Sequence, residues 1–273
     1  MSQDPDYRLN PDYGPGRYRR RIELVAGDGW VDGELEDTNH GFRCRLHHDG
    51  KQVTRVTGEA LRIPFTTCPG AVEPLKALAG LPLVDDASAI IAQTQPNEHC
   101  THLFDLTVLA LCHAARVSTS ATAKRRRRID IVIEDQPDQQ PAPAEVYIDD
   151  RLIHRWLTLD WQIVEPQALA GRGLYKGFTA WASETFDGEQ SEAAFALQKG
   201  YFVGSARRFD LSALVGKSAN DERDYMLGAC YTYSSPQIER ARRTAGSVRD
   251  FSDTPEQLLQ FVDARGAATD GAT

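Results

Sequence analysis

Two short stretches gather the chain's most reactive side chains: Thr66-Thr67-Cys68-Pro69-Gly70, and His99-Cys100-Thr101-His102-Leu103-Phe104-Asp105. Both stand where a loop runs into a helical pattern. A helix start presents unpaired amide N–H groups and positive potential, which favours a thiolate or a bound oxyanion. Three chemistries fit these residue types. In the first, His102 or His40 is a general base whose tautomer is set by a carboxylate, and Asp105, three residues after His102, shares its helix face. Arg17, Arg19 or Arg21 supplies charge for an alkoxide, phenolate or carboxylate, and Tyr18, Thr67 and Tyr231 complete the expected substrate-binding set. This set suits a cofactor-free carbon–carbon lyase, in which removal of a hydroxyl proton releases a small aldehyde such as formaldehyde.

In the second chemistry, Cys68, Cys100 and His102, with His99 or His40 as a fourth group, hold zinc in a hydrolase or lyase and leave a position for water. The Cys-x-His spacing opposes it, because residues two apart on a regular helix point away from each other. In the third, Cys68 or Cys100 is a nucleophile with His99 or His102 as its base. Plain packing competes with all three: cysteines serve as small buried hydrophobes, Thr67 or Cys68 caps a helix, and His102 hydrogen-bonds in a core. Its weakness is collective, since a helix start rarely needs His, Cys and His within four residues for packing alone.

The elements that must position these groups are legible from turns and periodicity. Gly-Asp-Gly at 27–29, Asn39-His40-Gly41 and Asp49-Gly50 divide Arg17 to Pro64 into a four-stranded antiparallel meander. In the first strand Tyr18, Arg20, Ile22 and Leu24 alternate with Arg17, Arg19, Arg21 and Glu23, one face apolar and the other charged. A short helix is expected over Ala71 to Leu78 and a polar loop from there to Pro96. A buried helix follows over Cys100 to Arg116, whose apolar residues run around most of the circumference. Arg127 to Leu159 reads as further strand, and Tyr175 to Phe186 and Glu189 to Tyr201 as two helices. Thr254-Pro255-Glu256-Gln257 opens a last helix to about Ala264, before a disordered tail from Gly266. The expectation is an α+β fold, an antiparallel sheet with helices packed on it. Residues 1–16 form an extension, 17–210 a main domain, and 211–273 a C-terminal helical segment and tail that the same domain can include.

Composition excludes several functions. With 39 Asp and Glu against 31 Lys and Arg the formal charge is -8, unsuited to holding nucleic acid by bulk electrostatics. The run Lys124 to Arg128 reads as a solvated strand end. No apolar stretch approaches the roughly 20 residues that cross a bilayer. The start lacks the features of a secretory signal, and five widely spaced cysteines without CxxC fit free thiols in the cytoplasm. No GxGxxG, P-loop, HExxH or GxSxG motif is present, so no nucleotide cofactor is expected and zinc is the one cofactor worth testing. Glu34 and Glu36, like Glu189 and Glu192, read as exposed charge without a role. Trp156, Trp161, Tyr231 and Tyr233 read first as core aromatics and second as walls of a planar-ligand pocket. The expected partner is a small aromatic or hydrophobic molecule, bound by an enzyme or by a noncatalytic ligand carrier. A homodimer is compatible with the composition.

The chain resembles a bacterial family catalogued only as a domain of unknown function, whose members share Gly-x-Tyr-x-Arg-Arg, Thr-Thr-Cys-Pro-Gly and Cys-Thr-His-Leu-x-Asp-Leu. These stand here at Gly16 to Arg20 with Tyr18 central, at Thr66 to Gly70 and at Cys100 to Leu106, and the resemblance extends to about residue 210. The family name implies no activity. The association of such proteins with bacterial breakdown of aromatic compounds is what tilts the expectation toward catabolism of phenolic substrates.

Overall fold

The computed structural model describes residues 7–136 and 138–261. The expected tail from Gly266, the end of the last helix and the first six residues of the N-terminal extension lie outside the described residues. The meander forms as its turns require: β1 (Arg17–Gly27), β2 (Trp30–Asp37), β3 (Gly41–His48) and β4 (Val53–Arg62). Later strands are β5 (Arg126–Glu134), β6 (Ala142–Ile148), β7 (Arg151–Leu159) and β8 (Gln162–Glu165). The strands form an antiparallel sheet of order β4-β3-β2-β1-β5-β6-β7-β8. Four helices matter below: α1 (Ala87–Ile91), α2 (Thr101–Thr119), α3 (Phe178–Thr185) and α4 (Gly188–Gly204). The fold is α+β, with helices packed on antiparallel sheet. Among the described residues no helix is long and apolar enough to cross a membrane.

The chain divides into two compact units, each discontinuous in sequence. The first comprises the residues up to Arg21, Arg128–Ala213 and Asp250–Glu256; the second comprises Ile22–Arg127, Leu214–Arg249 and the residues from Gln257.

In the second unit the buried helix α2 lies on β2 and β3. The helix packs on both strands, and Val31 and Leu35 of β2, Phe42, Cys44 and Leu46 of β3, and Leu103, Leu106 and Ala110 of α2 are all almost fully buried. Gly33 pairs with Cys44 across the two strands. A Cβ at Gly33 would lie 3.0 Å from Cys44 Sγ and 3.1 Å from Leu106, so the missing side chain is what lets the helix approach the sheet. The other face carries cross-strand ion pairs, Arg43 with Glu34 at 3.0 Å and Arg45 with Asp32 at 2.5 Å. Beyond β4 the expected helix over Ala71 to Leu78 is two 3-10 turns, Cys68–Val72 and Pro74–Leu78, because Pro74 cannot donate the amide bond that would join them. A second apolar cluster gathers Phe65 and Cys68 with Ala219, Tyr233, Ile238 and Ala241.

In the first unit the start of β1 keeps the predicted alternation, with Tyr18 and Arg20 inside and Arg17, Arg19 and Arg21 on the other face. The helix α4 packs on β6 and β7. Gly200 and Gly204 bring α4 against Ile131 and Tyr18, where a Cβ would stand 2.7 Å and 3.0 Å away. Arg207 holds Asp135 through two hydrogen bonds of 2.9 and 3.1 Å, both groups buried. The opening turn expected at Thr254 is present only as a 3-10 turn, Pro255–Gln257. The basic run is solvated and paired: Arg125 with Asp28 and Arg126 with Glu23 in the second unit, and Arg128 with Asp130 in the first.

Candidate active site at the start of helix α2

The turn between β2 and β3 is built by one carboxylate. Asp37 Oδ1 accepts from the amides of Asn39 at 2.8 Å and His40 at 2.9 Å, and Asp37 N donates to His40 O at 2.9 Å. Short polar side chains close such turns by replacing a backbone partner. The same Oδ1 lies 3.0 Å from His40 Nδ1, so the imidazole hydrogen sits on Nδ1 and Nε2 is left as the basic nitrogen. The Asp37 side chain is fully buried, while that of His40 is 13 % exposed.

Residue 102, in the first turn of α2, completes the group. The His40 and His102 rings stack with centroids 3.8 Å apart and planes 26° from parallel, and Phe42 lies 5.9 Å from His40. Among the described residues, the set of three metal-ligating side chains whose ligand atoms lie within 4.8 Å of one another is Asp37, His40 and His102. Cys68 and Cys100 do not form such a set with His102.

Arg62, at the end of β4, pins the turn from behind. Its guanidinium donates to Glu36 Oε1 at 3.1 Å, to Thr38 O and His40 O at 3.0 Å each, and to the carbonyls of Asp37 and Ser247. Burial pulls the Arg62 guanidinium below its ordinary range, with Glu36 and Asp37 opposing. Glu36 is therefore not the exposed charge its spacing suggested: it is fully buried, and it also accepts from Leu259 N at 2.6 Å. The alternation of β2 breaks after Leu35, so that Leu35, Glu36 and Asp37 are inside in succession. Thr38 and Asn39 are buried beside them, and Thr38 Oγ1 and Asn39 Oδ1 have no hydrogen-bond partner among the described residues.

The loop Ala229–Tyr233 brings the two sequence motifs together. Tyr231 N donates to His99 O at 3.0 Å, and Thr101 Oγ1 donates to Ala229 O at 3.1 Å. Thr232 Oγ1 stands 3.1 Å from Thr67 Oγ1 and 3.4 Å from Cys68 Sγ. The Tyr231 hydroxyl occupies the space above Gly70, where a Cβ would come within 2.5 Å of it. Thus the 229–233 loop touches both the entry to α2 and the Thr67–Cys68 turn, while His40 stacks on His102 in the first turn of α2. The His99 ring lies 4.7 Å from Phe104, a side-chain staple that fixes how a chain enters a helix, and burial lowers its pKa.

Two expectations are corrected. The cysteines are not activated by the helix start. Burial pushes the Cys68 thiol up to about 11 and Cys100 higher still, although Cys100 faces the amides of Leu103 and His102. Desolvation of a thiolate outweighs a few amide dipoles, so both are neutral thiols. Tyr18, expected to bind substrate, is 1 % exposed, its ring packed on Gly204. All five cysteines are free. Arg17 and Arg19 lie in the first unit, whereas His40, His102 and Asp105 lie in the second.

Residues 28–116 match the model of a family described as a protein of unknown function (DUF2889). That stretch contains Asp37, His40, Arg62, Cys68, Cys100, His102 and Asp105, and so both the Thr66-to-Gly70 and the Cys100-to-Leu106 motifs. Gly16 to Arg20 and Tyr231 lie outside it. No curated protein and no solved structure matches the chain.

Asp37 and Arg62 are the site residues that sequence reading missed. An Asp two residues before Asn-His-Gly is a turn-closing signal, and that alone could have pointed to Asp37.

Proposed function

We propose that the protein is a cofactor-free carbon–carbon lyase of retro-aldol type, acting on a phenolic compound that carries a hydroxymethyl group on a benzylic carbon and releasing a small aldehyde. The observation that carries this reading is the buried Asp37 carboxylate on Nδ1 of a partly exposed His40, which leaves Nε2 as a base directed away from the turn. His40 Nε2 takes the substrate's hydroxyl proton, the oxygen's electron pair forms the aldehyde carbonyl, and the carbon–carbon pair passes to the remaining carbon. An adjoining aryl system absorbs that charge, and the proton held on His40 returns to the product. Tyr231, beside Gly70, offers a hydroxyl to the phenolic oxygen. The substrate class rests on the family resemblance.

The zinc reading changes its ligands to Asp37, His40 and His102. Near-parallel stacking sets the two imidazole lone pairs side by side, whereas an ion must lie close to the plane of each ring it binds. A shared ion therefore requires one ring to turn, and the metal-free reading is preferred.

Formaldehyde release from a panel of phenols whose hydroxymethyl group sits on a benzylic carbon, assayed after exhaustive dialysis against EDTA, tests the proposal. Retained activity in the wild type with a loss of about a hundredfold or more in His40→Gln is expected. Absence of aldehyde across the panel counts against the lyase. Activity removed by EDTA and restored by zinc transfers the site to a metal enzyme.

A further inference from the structure

We infer that the first unit carries a separate binding site for a small oxyanion, the phosphate or carboxylate group of a soluble molecule, held by Arg17 and Arg19. A groove of about 360 Å³ opens on the face of its strands, lined by Arg17, Arg19, Arg21, Arg128, Tyr147 and Val132 among others. Strand alternation puts Arg17, Arg19 and Arg21 on that one face, each about 7 Å from the next.

The groove also holds three carboxylates, Asp130, Glu145 and Asp150, and the pairing of each leaves Arg17 and Arg19 over. Asp130 is taken by Arg21 at 2.6 Å and by Arg128 at 2.7 Å, and Asp150 pairs with Arg128. Glu145 is held by Arg155 at 3.0 Å and by the Tyr147 hydroxyl at 2.6 Å. The Arg19 side chain donates from Nε to the carbonyl of Ser252 at 3.1 Å, its one hydrogen bond among the described residues. Among the described residues the Arg17 guanidinium reaches a carboxylate only at Glu134, 3.9 Å away, and its Nε is buried with no hydrogen-bond partner.

Two like charges thus stand side by side on one strand without a carboxylate in hydrogen-bond range. Burial and the neighbouring Arg17 disfavour the charged form of Arg19, with Asp130 and Asp253 offsetting this in part. A planar guanidinium fork suits the paired oxygens of a phosphate or carboxylate, and one anion between the two side chains removes their repulsion.

Calorimetric titration of the full chain at low salt, with inorganic phosphate in one arm and benzoate in the other, tests the site. Saturable one-to-one binding of at least one anion is expected, falling as chloride rises. Arg17→Gln and Arg19→Gln should each weaken it about tenfold or more, the value of one charge-assisted hydrogen bond. Arg151→Gln, which removes a pair with Glu189 outside the groove, should leave it unchanged. Should either glutamine variant fail to fold, Arg19→Lys keeps the charge, loses the fork and is expected to bind more weakly than wild type. The arm that binds identifies the ligand as phosphate or carboxylate. Failure of both anions to saturate the wild type, or wild-type affinity in the glutamine variants, overturns the inference. Neither result bears on the lyase, whose groups lie in the second unit.

Discussion

Asp37 Oδ1 does two jobs with one atom: it closes the 37–40 turn through two amides and it orients His40. Asp37→Asn separates them, because an amide oxygen still accepts from the backbone but brings no charge to the imidazole. The expected result is an unchanged melting temperature with turnover lowered about a hundredfold or more, read from kcat and thermal unfolding on the same preparation. The buried thiols make a pH prediction whose sign is fixed. Cys68 and Cys44 are pushed up from an ordinary value near 9 to about 11 and about 12. Each therefore holds its proton more tightly when folded, contributes stability fully below pH 9, and loses it as pH rises toward 11 to 12. Melting curves from pH 8 to 11 should fall, and fall less steeply in Cys68→Ala. At this scale the sequence was partly legible. His40, Cys68, Cys100, His102 and Tyr231 stood out by type, and the 229–233 loop and the His40–His102 stack tie them to the start of α2. Asp37 and Arg62 did not, because their importance comes from burial and from a turn that only the folded backbone closes.

Strand β2 and the end of β4 decide whether the site is ordered. Arg62 satisfies Glu36 and four carbonyl oxygens at once. Arg62→Ala would leave the fully buried Glu36 without its closest cation, since Arg249 stands at 3.5 Å and is half exposed. Removing one partner of a buried pair costs about 3 to 5 kcal/mol. Urea denaturation should show that loss, with faster hydrogen exchange at the amides of Asn39 and His40. Strong periodicity explains which elements could be read in advance: the two-residue alternation of β1, the turn signals of the meander, and the all-round apolar character of α2. The short pieces were not readable. Pro74 breaks Ala71 to Leu78 into 3-10 turns, and α1 is a five-residue helix capped by Asp86, too brief for a periodic signal inside a polar loop. The three buried residues ending β2 escape for the same reason, since they follow tertiary cover instead of pattern.

Whole-molecule organisation turns on the interleaving of the two units. The family-matched residues 28–116 supply the catalytic candidates, yet Phe65 and Cys68 within them pack on Ala219, Tyr233, Ile238 and Ala241, which arrive from Leu214–Arg249. A chain ending at residue 210 should leave that apolar cluster half built. It is expected to bind a hydrophobic dye, to lose near-ultraviolet circular dichroism and to show no thiol protection at Cys68. Full thiol protection in the truncated chain would refute this. The same interleaving orders events on the ribosome. The segment ending at Arg127 is complete long before residues 214–249 emerge, an interval on the order of 4 to 20 s at usual elongation rates. For that time Phe65 and Cys68 wait without their apolar partners. Conditions that slow translation between the two segments should therefore lower the soluble yield more than the same slowing after residue 249.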